Sequence, residues 1–343
     1  GPSPVPPTSL HGVATMPPRL EDKGAEEKSG DHHLPVRRAE SKTAAETLDA
    51  EQDQPSWRQI DFSEIELGKK IGGGGVGVIY SGHWRDRPVA LKTLFDPKVD
   101  EDLMQEYMDE LLVMSQLDHP NVVSFLGASM SPPNLCFVME LCDQSLYDML
   151  HVQRLQFTTY ECVQIALDVA MAMEYLHSLQ PCIIHRDLKS HNLLVQRGVV
   201  KLCDFGLVRT RVTQAGTPAY MAPELLAGQA FNKSVDVYSF GVLLCEIFSQ
   251  EIPFSSYDLD DIRRCVARGD RPRIPTIDTP PRIRDMISDC WQQDPSDRPI
   301  FGRLVRDLED LLRDLPQRSN LEELDDVGGS GDALDDLLSG CGK

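Results

Sequence analysis

The segment 185–206, HRDLKSHNLLVQRGVVKLCDFG, constrains the fold of this chain more than any other stretch. Two short apolar runs flank Gln196-Arg197-Gly198, a sequence typical of a tight turn, which predicts an antiparallel hairpin. Asn192 directly precedes the first run, and Asp204 directly follows the second. The hairpin therefore brings these two oxygen-bearing side chains to the same end.

This pair of side chains has the chemistry of a magnesium site. Asn192 and Asp204 offer an amide oxygen and a carboxylate, and Asp187, five residues before Asn192, is a candidate base beside them. Mg²⁺ that holds a phosphate group is the natural occupant of such a hard-oxygen site. Taken alone, each of these residues could be a turn former or a helix cap, and for a lone Asp that interpretation would be the better one, so the prediction depends on the joint pattern.

The compound pattern resembles the eukaryotic protein kinase family. His185-Arg186-Asp187 is followed by Lys189, by Asn192 and then by Asp204-Phe205-Gly206, in the order and spacing of that family's motifs. The resemblance covers about residues 60–315 and implies an α+β, two-lobed protein kinase fold. The N-lobe is expected to be a small, mostly antiparallel sheet with one key helix, and the C-lobe to be larger and mainly helical. The implied boundaries are a kinase domain at 56–315, with an N-lobe at about 60–138, a hinge at 139–144 and a C-lobe at 145–315.

Composition separates two tails from this domain. Residues 1–55 are rich in Pro and charge, residues 316–343 are acidic, and both are expected to be disordered. In this acidic tail, Asp and Glu residues alternate with leucines at helical spacing, so the tail is either a partner-docking motif or a solvated segment. A chain that begins Gly1-Pro2 is expected to be part of a longer protein, and the oligomeric state is left open.

Charge and cysteine usage limit the partners and the compartment. The formal net charge of −20 argues against non-specific binding to nucleic acid or to anionic membranes. The nine cysteines include no C-x-x-C pair, and no apolar run is long enough to span a membrane. With no secretory signal, the sequence predicts a cytoplasmic protein, with the nucleus as the alternative.

A glycine-rich stretch begins at Ile71, and a G-x-G-x-x-G pattern alone is a weak signal. A dinucleotide-binding fold would place a helix after it, whereas residues 78–80 and 89–92 are typical of two further strands, so a strand, glycine turn and strand are predicted. Gly72, Gly74 and Gly77 would let backbone N–H groups approach phosphate oxygens. Val76 departs from the family, which usually has an aromatic residue there.

Lys92 lies in an otherwise apolar strand, where a buried ammonium needs a partner. A helix predicted from about Glu101 to Leu117 offers Glu110, three residues after Tyr107 on its apolar stripe. Glu106, one turn earlier, is the second choice. The resemblance implies that Lys92, held by Glu110, grips the α- and β-phosphates of ATP.

The resemblance also implies an adenine pocket around the hinge. Glu140 C=O and Cys142 N–H would bond to the adenine, with Met139 at the back of the pocket. The family also implies four further pocket residues, which are Ile71, Ile79, Ala90 and Leu194. Residues 143–146 contain no glycine, where many relatives have one or two.

Catalytic and regulatory roles follow from the same resemblance. Asp187 would accept the proton of the substrate hydroxyl, Lys189 would steady the transferring phosphoryl group, and Asn192 and Asp204 would hold Mg²⁺. Thr210 and Thr213 are the candidate activating phosphorylation sites, against the alternative of neutral turn hydroxyls. Thr217 is expected to bond to Asp187 and Lys189, which is typical of serine/threonine kinases.

Other segments support this architecture. Residues 158–161 form a capping box that begins a helix, residues 234–241 begin an almost wholly apolar helix, and Arg298 is expected to pair with Glu224. Within the family, the sequence is most similar to the tyrosine-kinase-like group, and within that to Raf-like MAP kinase kinase kinases.

The leading hypothesis is a signalling serine/threonine kinase that uses ATP and Mg²⁺ on protein substrates. A nucleotide-binding pseudokinase scaffold and a tyrosine or dual-specificity kinase are the alternatives.

Overall fold

The computed structural model describes residues 57–74, 77–94, 101–131, 134–206 and 216–316. Outside these ranges lie Val76, the predicted phosphorylation sites Thr210 and Thr213, and residues 1–56 and 317–343. The side chain of Glu106 is likewise not described.

A five-stranded antiparallel sheet forms the first part of the fold, with strand order β1-β2-β3-β5-β4. Its strands are β1 Ile65–Gly74, β2 Gly77–Trp84, β3 Arg87–Leu94, β4 Phe125–Ser131 and β5 Asn134–Glu140. The helix α1, Glu101–Met114, lies between β3 and β4 in the chain and packs on the sheet through Tyr107, whose ring stacks on Phe137 at 4.1 Å. The predicted sheet with one key helix is confirmed.

The second part of the fold is mainly helical. Its helices are α2 Thr159–Ser178, α3 Pro223–Leu226, α4 Ser234–Ser249, α5 Leu259–Arg268, α6 Pro281–Cys290 and α7 Phe301–Asp314. The capping box predicted for α2 is present, because the Thr158 hydroxyl accepts from Glu161 N–H while the Glu161 carboxylate accepts from Thr158 N–H. Among the residues described, no helix combines the length and the apolar character that crossing a bilayer requires.

A small second sheet contains both apolar runs of the segment 185–206. It comprises β6 Gln144–Ser145, β7 Leu193–Gln196 and β8 Val199–Leu202, in that order. The turn between β7 and β8 is two residues long, with φ of 50° at Arg197 and 77° at Gly198. Gln196 pairs with Val199, so the turn is one residue shorter than predicted, and the antiparallel hairpin is confirmed.

Two predicted boundaries near the sheet are wrong. The helix α1 ends at Met114 rather than near Leu117. The apolar residues after His119-Pro120-Asn121 predict a strand from Val122 to Phe125, whereas β4 begins only at Phe125. The intervening backbone is bonded to β8 instead, since Leu202 N–H donates to Asn121 O at 2.8 Å and its carbonyl accepts from Val123 N–H at 2.9 Å. Val122 therefore forms a single parallel bridge with Leu202 of β8 instead of extending β4.

Candidate active site

Lys92 and Glu110 form a buried ion pair between the sheet and α1. Lys92 Nζ lies 2.6 Å from Glu110 Oε1, and their side chains are 19% and 7% exposed. Lys92 is opposite Ile79 in the β2–β3 ladder, and Glu110 shares the inward face of α1 with Tyr107. The helical period therefore selected the right glutamate.

The charge state of this pair follows from its surroundings. Burial alone would lower the pKa of Lys92, but the carboxylates of Glu110 and Asp204 outweigh burial and hold that pKa above its ordinary value. Burial raises the pKa of Glu110, and the neighbouring ammonium counteracts it. Lys92 is thus a fixed cation at neutral pH.

Asp204 lies at the end of the β7–β8 hairpin and faces Lys92. Its Oδ1 is 3.5 Å from Lys92 Nζ, and its side chain is 48% exposed. Burial would raise the pKa of this carboxyl, but Lys92, His185, the Gly206 N–H and Lys189 together hold it below the usual value. Asp204 has φ of 66°, a left-handed conformation that directs it out of the strand.

Asn192 joins the same end of the hairpin, as the sequence predicted. Its carbonyl oxygen accepts from Cys203 N–H at 2.9 Å, next to Asp204 in the chain. Its side-chain Nδ2 donates to Asp187 O at 2.8 Å and to Asp187 Oδ2 at 3.0 Å. The amide oxygen is therefore directed away from Asp187.

Asp187 is held by four side-chain and backbone donors. Lys189 Nζ lies 2.7 Å from Asp187 Oδ2, and the same ammonium donates to Thr217 Oγ1 at 2.7 Å. Thr217 in turn donates to Asp187 Oδ1 from Oγ1 at 3.0 Å and from its backbone N–H at 3.1 Å. The predicted contacts of Thr217 with both residues are present. A side chain at Gly216, which has φ of 126°, would come within 3.1 Å of Arg186 O.

The loop at residues 185–192, the proposed catalytic loop, is held by Asp236, which sequence reasoning did not identify. This fully buried carboxylate in the first turn of α4 accepts from Arg186 N–H at 2.8 Å and His185 N–H at 3.0 Å. It also lies 2.8 Å from His177 Nε2 on α2. The bonds fix the loop where Arg186 adopts φ of 69°. The available signal was an acidic residue at the start of an otherwise apolar helix.

Glu246, also on α4, was missed as well. Its buried carboxylate accepts from Ser190 Oγ at 2.7 Å and from Tyr220 OH at 2.8 Å, and it lies 2.8 Å from His151 Nε2. It therefore ties the catalytic loop to the segment after Thr217. His185 and Phe205 act as packing groups, because both are buried and their rings are in edge contact with centroids 5.3 Å apart.

The predicted adenine pocket is bounded by the sheet and the β7–β8 hairpin. Ala90 and Met139 are opposite each other in the β3–β5 ladder, and Leu194 lies on β7. Within the described part of the chain, Cys142 N–H donates to no backbone or side-chain acceptor, so this group is available to a ligand. Burial raises the pKa of the Cys142 thiol to about 12, which leaves it neutral there.

The glycine-rich edge is more open. Ile71 is 46% exposed at the end of the sheet, and Gly72 and Gly74 pair with Ile79 and Gly77. A Cβ at Gly77 would lie 2.7 Å from Thr93 O, so glycine is required at this position by the neighbouring strand as well as by any ligand.

The donor set fits a magnesium ion that is shared with phosphate. Asp204 is an ionised, half-exposed carboxylate, and Asn192 adds one amide oxygen. Within the described ranges, no three His, Cys, Asp or Glu side chains cluster as metal ligands. Mg²⁺ commonly takes one or two protein oxygens and completes its shell with phosphate and water, so two donors are sufficient.

Comparison with known proteins identifies the class. Residues 65–308 match the family described as protein tyrosine and serine/threonine kinase, and the chain belongs to this family. The resemblance to eukaryotic protein kinases is thereby confirmed.

Three relatives illustrate the similarity. The chain is 38% identical over 268 residues to a probable serine/threonine-protein kinase of Dictyostelium discoideum, covering 75% of this chain and 28% of the relative. It is 36% identical over 266 residues to serine/threonine-protein kinase STY17 of Arabidopsis thaliana, covering 75% and 46%. It is 36% identical over 269 residues to dual specificity protein kinase shkC of D. discoideum, covering 75% and 53%. The chain thus spans no more than 53% of the length of any of the three.

Proposed function

We propose that this chain is a protein serine/threonine kinase that transfers the γ-phosphoryl group of ATP to protein hydroxyls. The observation that carries the proposal is the arrangement around Asp187. Lys189, Thr217 and Asn192 hold this carboxylate, and the carbonyl of Asn192 accepts from the N–H of Cys203, the residue before the ionised Asp204. The names of the relatives, serine/threonine-protein kinases among them, support the same reaction.

Each residue has a step that its position suits. Asp187 accepts the proton of the substrate hydroxyl, while Lys189 places positive charge beside the group in transfer. Lys92 binds the α- and β-phosphates, and the Glu110 pair keeps its ammonium at one place. Asn192 and Asp204 would hold Mg²⁺, which supplies charge neutralisation between the phosphates. In such a site, positioning and electrostatics provide most of the rate enhancement.

The nucleotide is proposed to lie against the hinge, segment 139–144. Glu140 C=O and Cys142 N–H would bond to the adenine, with Met139 and Leu194 on either side. Ile71, Ile79 and Ala90 would cover it from the sheet. These assignments keep the proposed lobe boundaries of 60–138 and 145–315.

A radiolabelled ATP assay on a generic protein substrate tests the activity. Wild type is expected to label serine and threonine, and Asp187→Asn to lose at least about 100-fold in kcat because the proton acceptor is removed. Arg303→Met on α7, an exposed residue paired with Asp289 and Asp307, is the matched control and is expected to behave as wild type. Wild-type labelling no higher than that of Asp187→Asn would refute the proposal and favour a scaffold.

Phosphoamino-acid analysis of the same product addresses a second candidate. A dual-specificity activity is motivated by the similarity to shkC. The bonds of Thr217 to Asp187 and Lys189 favour serine and threonine. Phosphotyrosine exceeding phosphoserine and phosphothreonine together would overturn that preference.

The compartment and the partners complete the proposal. None of the eight cysteines among the described residues forms a disulfide, which is consistent with the reducing cytoplasm or nucleus. Protein substrates bearing serine or threonine are the proposed partners, and docking through the acidic tail, residues 316–343, is proposed as the second kind of contact.

A further inference from the structure

The Glu140 side chain contacts two groups outside the segment proposed to bind adenine. Its Oε1 accepts from Ser124 N–H at 2.6 Å and lies 3.0 Å from Lys201 Nζ on β8. The two charged side chains are only 9% and 13% exposed, so this pair is much better shielded than a surface salt bridge. Ser124 O also accepts from Glu140 N–H at 3.0 Å.

The rest of the hinge is bonded to the same β7–β8 hairpin. Gln196 Nε2 donates to Leu141 O at 3.0 Å, and Asp143 N–H donates to Val195 O at 2.9 Å. Asp143 Oδ2 accepts from Arg197 N–H at 3.1 Å. The outer edge of the hinge is therefore attached to the hairpin along its length, and the Glu140–Lys201 contact is the ionic part of that attachment.

Lys201 is also the partner of Leu194 across the hairpin. Directly opposed residues of an antiparallel pair share a face, so Leu194 and Lys201 lie on the same side of the sheet. The four residues on the opposite face, Leu193, Val195, Val200 and Leu202, are buried in the core. One short hairpin thus carries both the proposed floor of the nucleotide pocket and the cation that holds the proposed hinge.

We propose that the Glu140–Lys201 pair is a positioning element for the nucleotide, fixing the distance between the hinge edge and the pocket floor. The proposal rests on the proposed ATP site, but neither side chain touches the reacting groups. Without the cation, the Glu140 carboxylate keeps only the Ser124 N–H as a partner. The hinge keeps its bonds to Gln196 and Val195 but loses its ionic contact with the hairpin, so Glu140 can shift relative to the pocket floor. The fraction of molecules ready to bind nucleotide falls, and the apparent Kd rises by the same factor.

Calorimetric titration with Mg·ADP tests the proposal without any turnover. Lys201→Met and Glu140→Gln are each expected to raise Kd for Mg·ADP by about threefold to tenfold. Lys201→Arg, which keeps the cation, is expected to stay within about twofold of wild type. The double variant should be no weaker than either single variant, because the two side chains act as one unit. Arg303→Met again serves as the control for loss of a paired cation.

Steady-state kinetics separate positioning from general destabilisation. KM for ATP should rise in parallel with Kd, while kcat stays within about twofold. Unchanged Kd in Lys201→Met and Glu140→Gln would overturn the proposal, even if both variants melted earlier. An increase in kcat with unchanged KM would also overturn it, since the pair would then restrain the lobes rather than position the nucleotide. Should Lys201→Met fail to fold, the isosteric Glu140→Gln carries the test. Failure of wild type itself to bind Mg·ADP would instead refute the ATP site.

Discussion

Substituting Asp236 by asparagine tests whether α4 supports the catalytic loop. The wild-type carboxylate accepts Arg186 N–H, His185 N–H and His177 Nε2 at 2.8 to 3.0 Å, and it is fully buried. Asparagine retains one acceptor oxygen and places an NH₂ group against a buried N–H donor. Losing a bond to a charged acceptor costs about 1.5–3 kcal/mol, and the unsatisfied donors add about 1–3 kcal/mol.

The expected loss of unfolding free energy is therefore about 3–5 kcal/mol. For a domain of this size, each kcal/mol shifts Tm by about 2–4 °C, so Tm should fall by about 6–20 °C. We also expect kcat to fall by about 10- to 100-fold, since the loop loses the bond that holds Arg186 in its left-handed conformation. KM for ATP should change little, because the proposed hinge is not in contact with Asp236.

Differential scanning fluorimetry and initial rates, measured on the same preparations, provide the test. Asp289→Asn is the matched control, because Asp289 is 48% exposed and its ion pair with Arg303 is long, at 3.7 Å. Its Tm should remain within about 1 °C of wild type, as expected for a surface pair. A Tm for Asp236→Asn within about 2 °C of wild type, together with an unchanged kcat, would refute the argument that this carboxylate holds the loop.

Three further predictions concern other contacts. Thr217→Val should lower kcat by about tenfold or more, because valine lacks the hydroxyl that bonds to both Asp187 and Lys189. Thr217→Ser keeps the hydroxyl and should stay near wild type, and an equal loss in both variants would contradict this. Burial lowers the pKa of His119, and its Nδ1 accepts from Asn121 N–H at 3.1 Å. The contribution of neutral His119 to stability should therefore be lost as the pH falls below about 6.5, the pKa of His119 in the unfolded chain. An NMR titration midpoint above 6.5 would show the opposite sign. Glu224→Gln should lower Tm by several degrees in a thermal scan, because Arg298, at 2.6 Å in a buried pair, would lose its counter-charge; an unchanged Tm would mean that the pair is dispensable.

The parts of the site that the sequence predicted are those where a polar residue stands out locally. Lys92 interrupts an apolar strand and therefore needs a partner, and the helical period then places Glu110 inward. Asn192 and Asp204 are polar residues at the ends of apolar runs joined by a short turn, so their convergence follows from hairpin geometry. In these cases the relevant distance is set by one secondary structure element or by one pair of adjacent elements.

Contacts that depend on tertiary packing could not be predicted in this way. Asp236 is 50 residues from Arg186 in sequence, and no local period relates them. Glu246 lies in an almost wholly apolar helix, and nothing local in the sequence shows that it contacts three separate segments. The apolar residues Val122 and Val123 were assigned to the strand that follows because an apolar run does not show whether it extends its own sheet or forms a bridge to a neighbouring hairpin.

The two kinds of contact differ in what they do for the proposed reaction. Lys92, Asp187 and Asp204 are the residues proposed to carry the chemistry. Two of them are kept in place by groups that take no part in the proposed reaction, since Glu110 holds Lys92 and Asp236 holds the backbone next to Asp187. Glu110 and Asp236 are carboxylates on helices, and both are at least nine-tenths buried. A buried carboxylate destabilises the fold unless it is paired or hydrogen-bonded. Displacing either helix would therefore leave a buried charge without its partners and lower the free energy of unfolding. The energy that stabilises the fold and the geometry that the proposed transfer requires therefore depend on the same contacts, and a substitution that weakens one of these carboxylates should affect stability and kcat together.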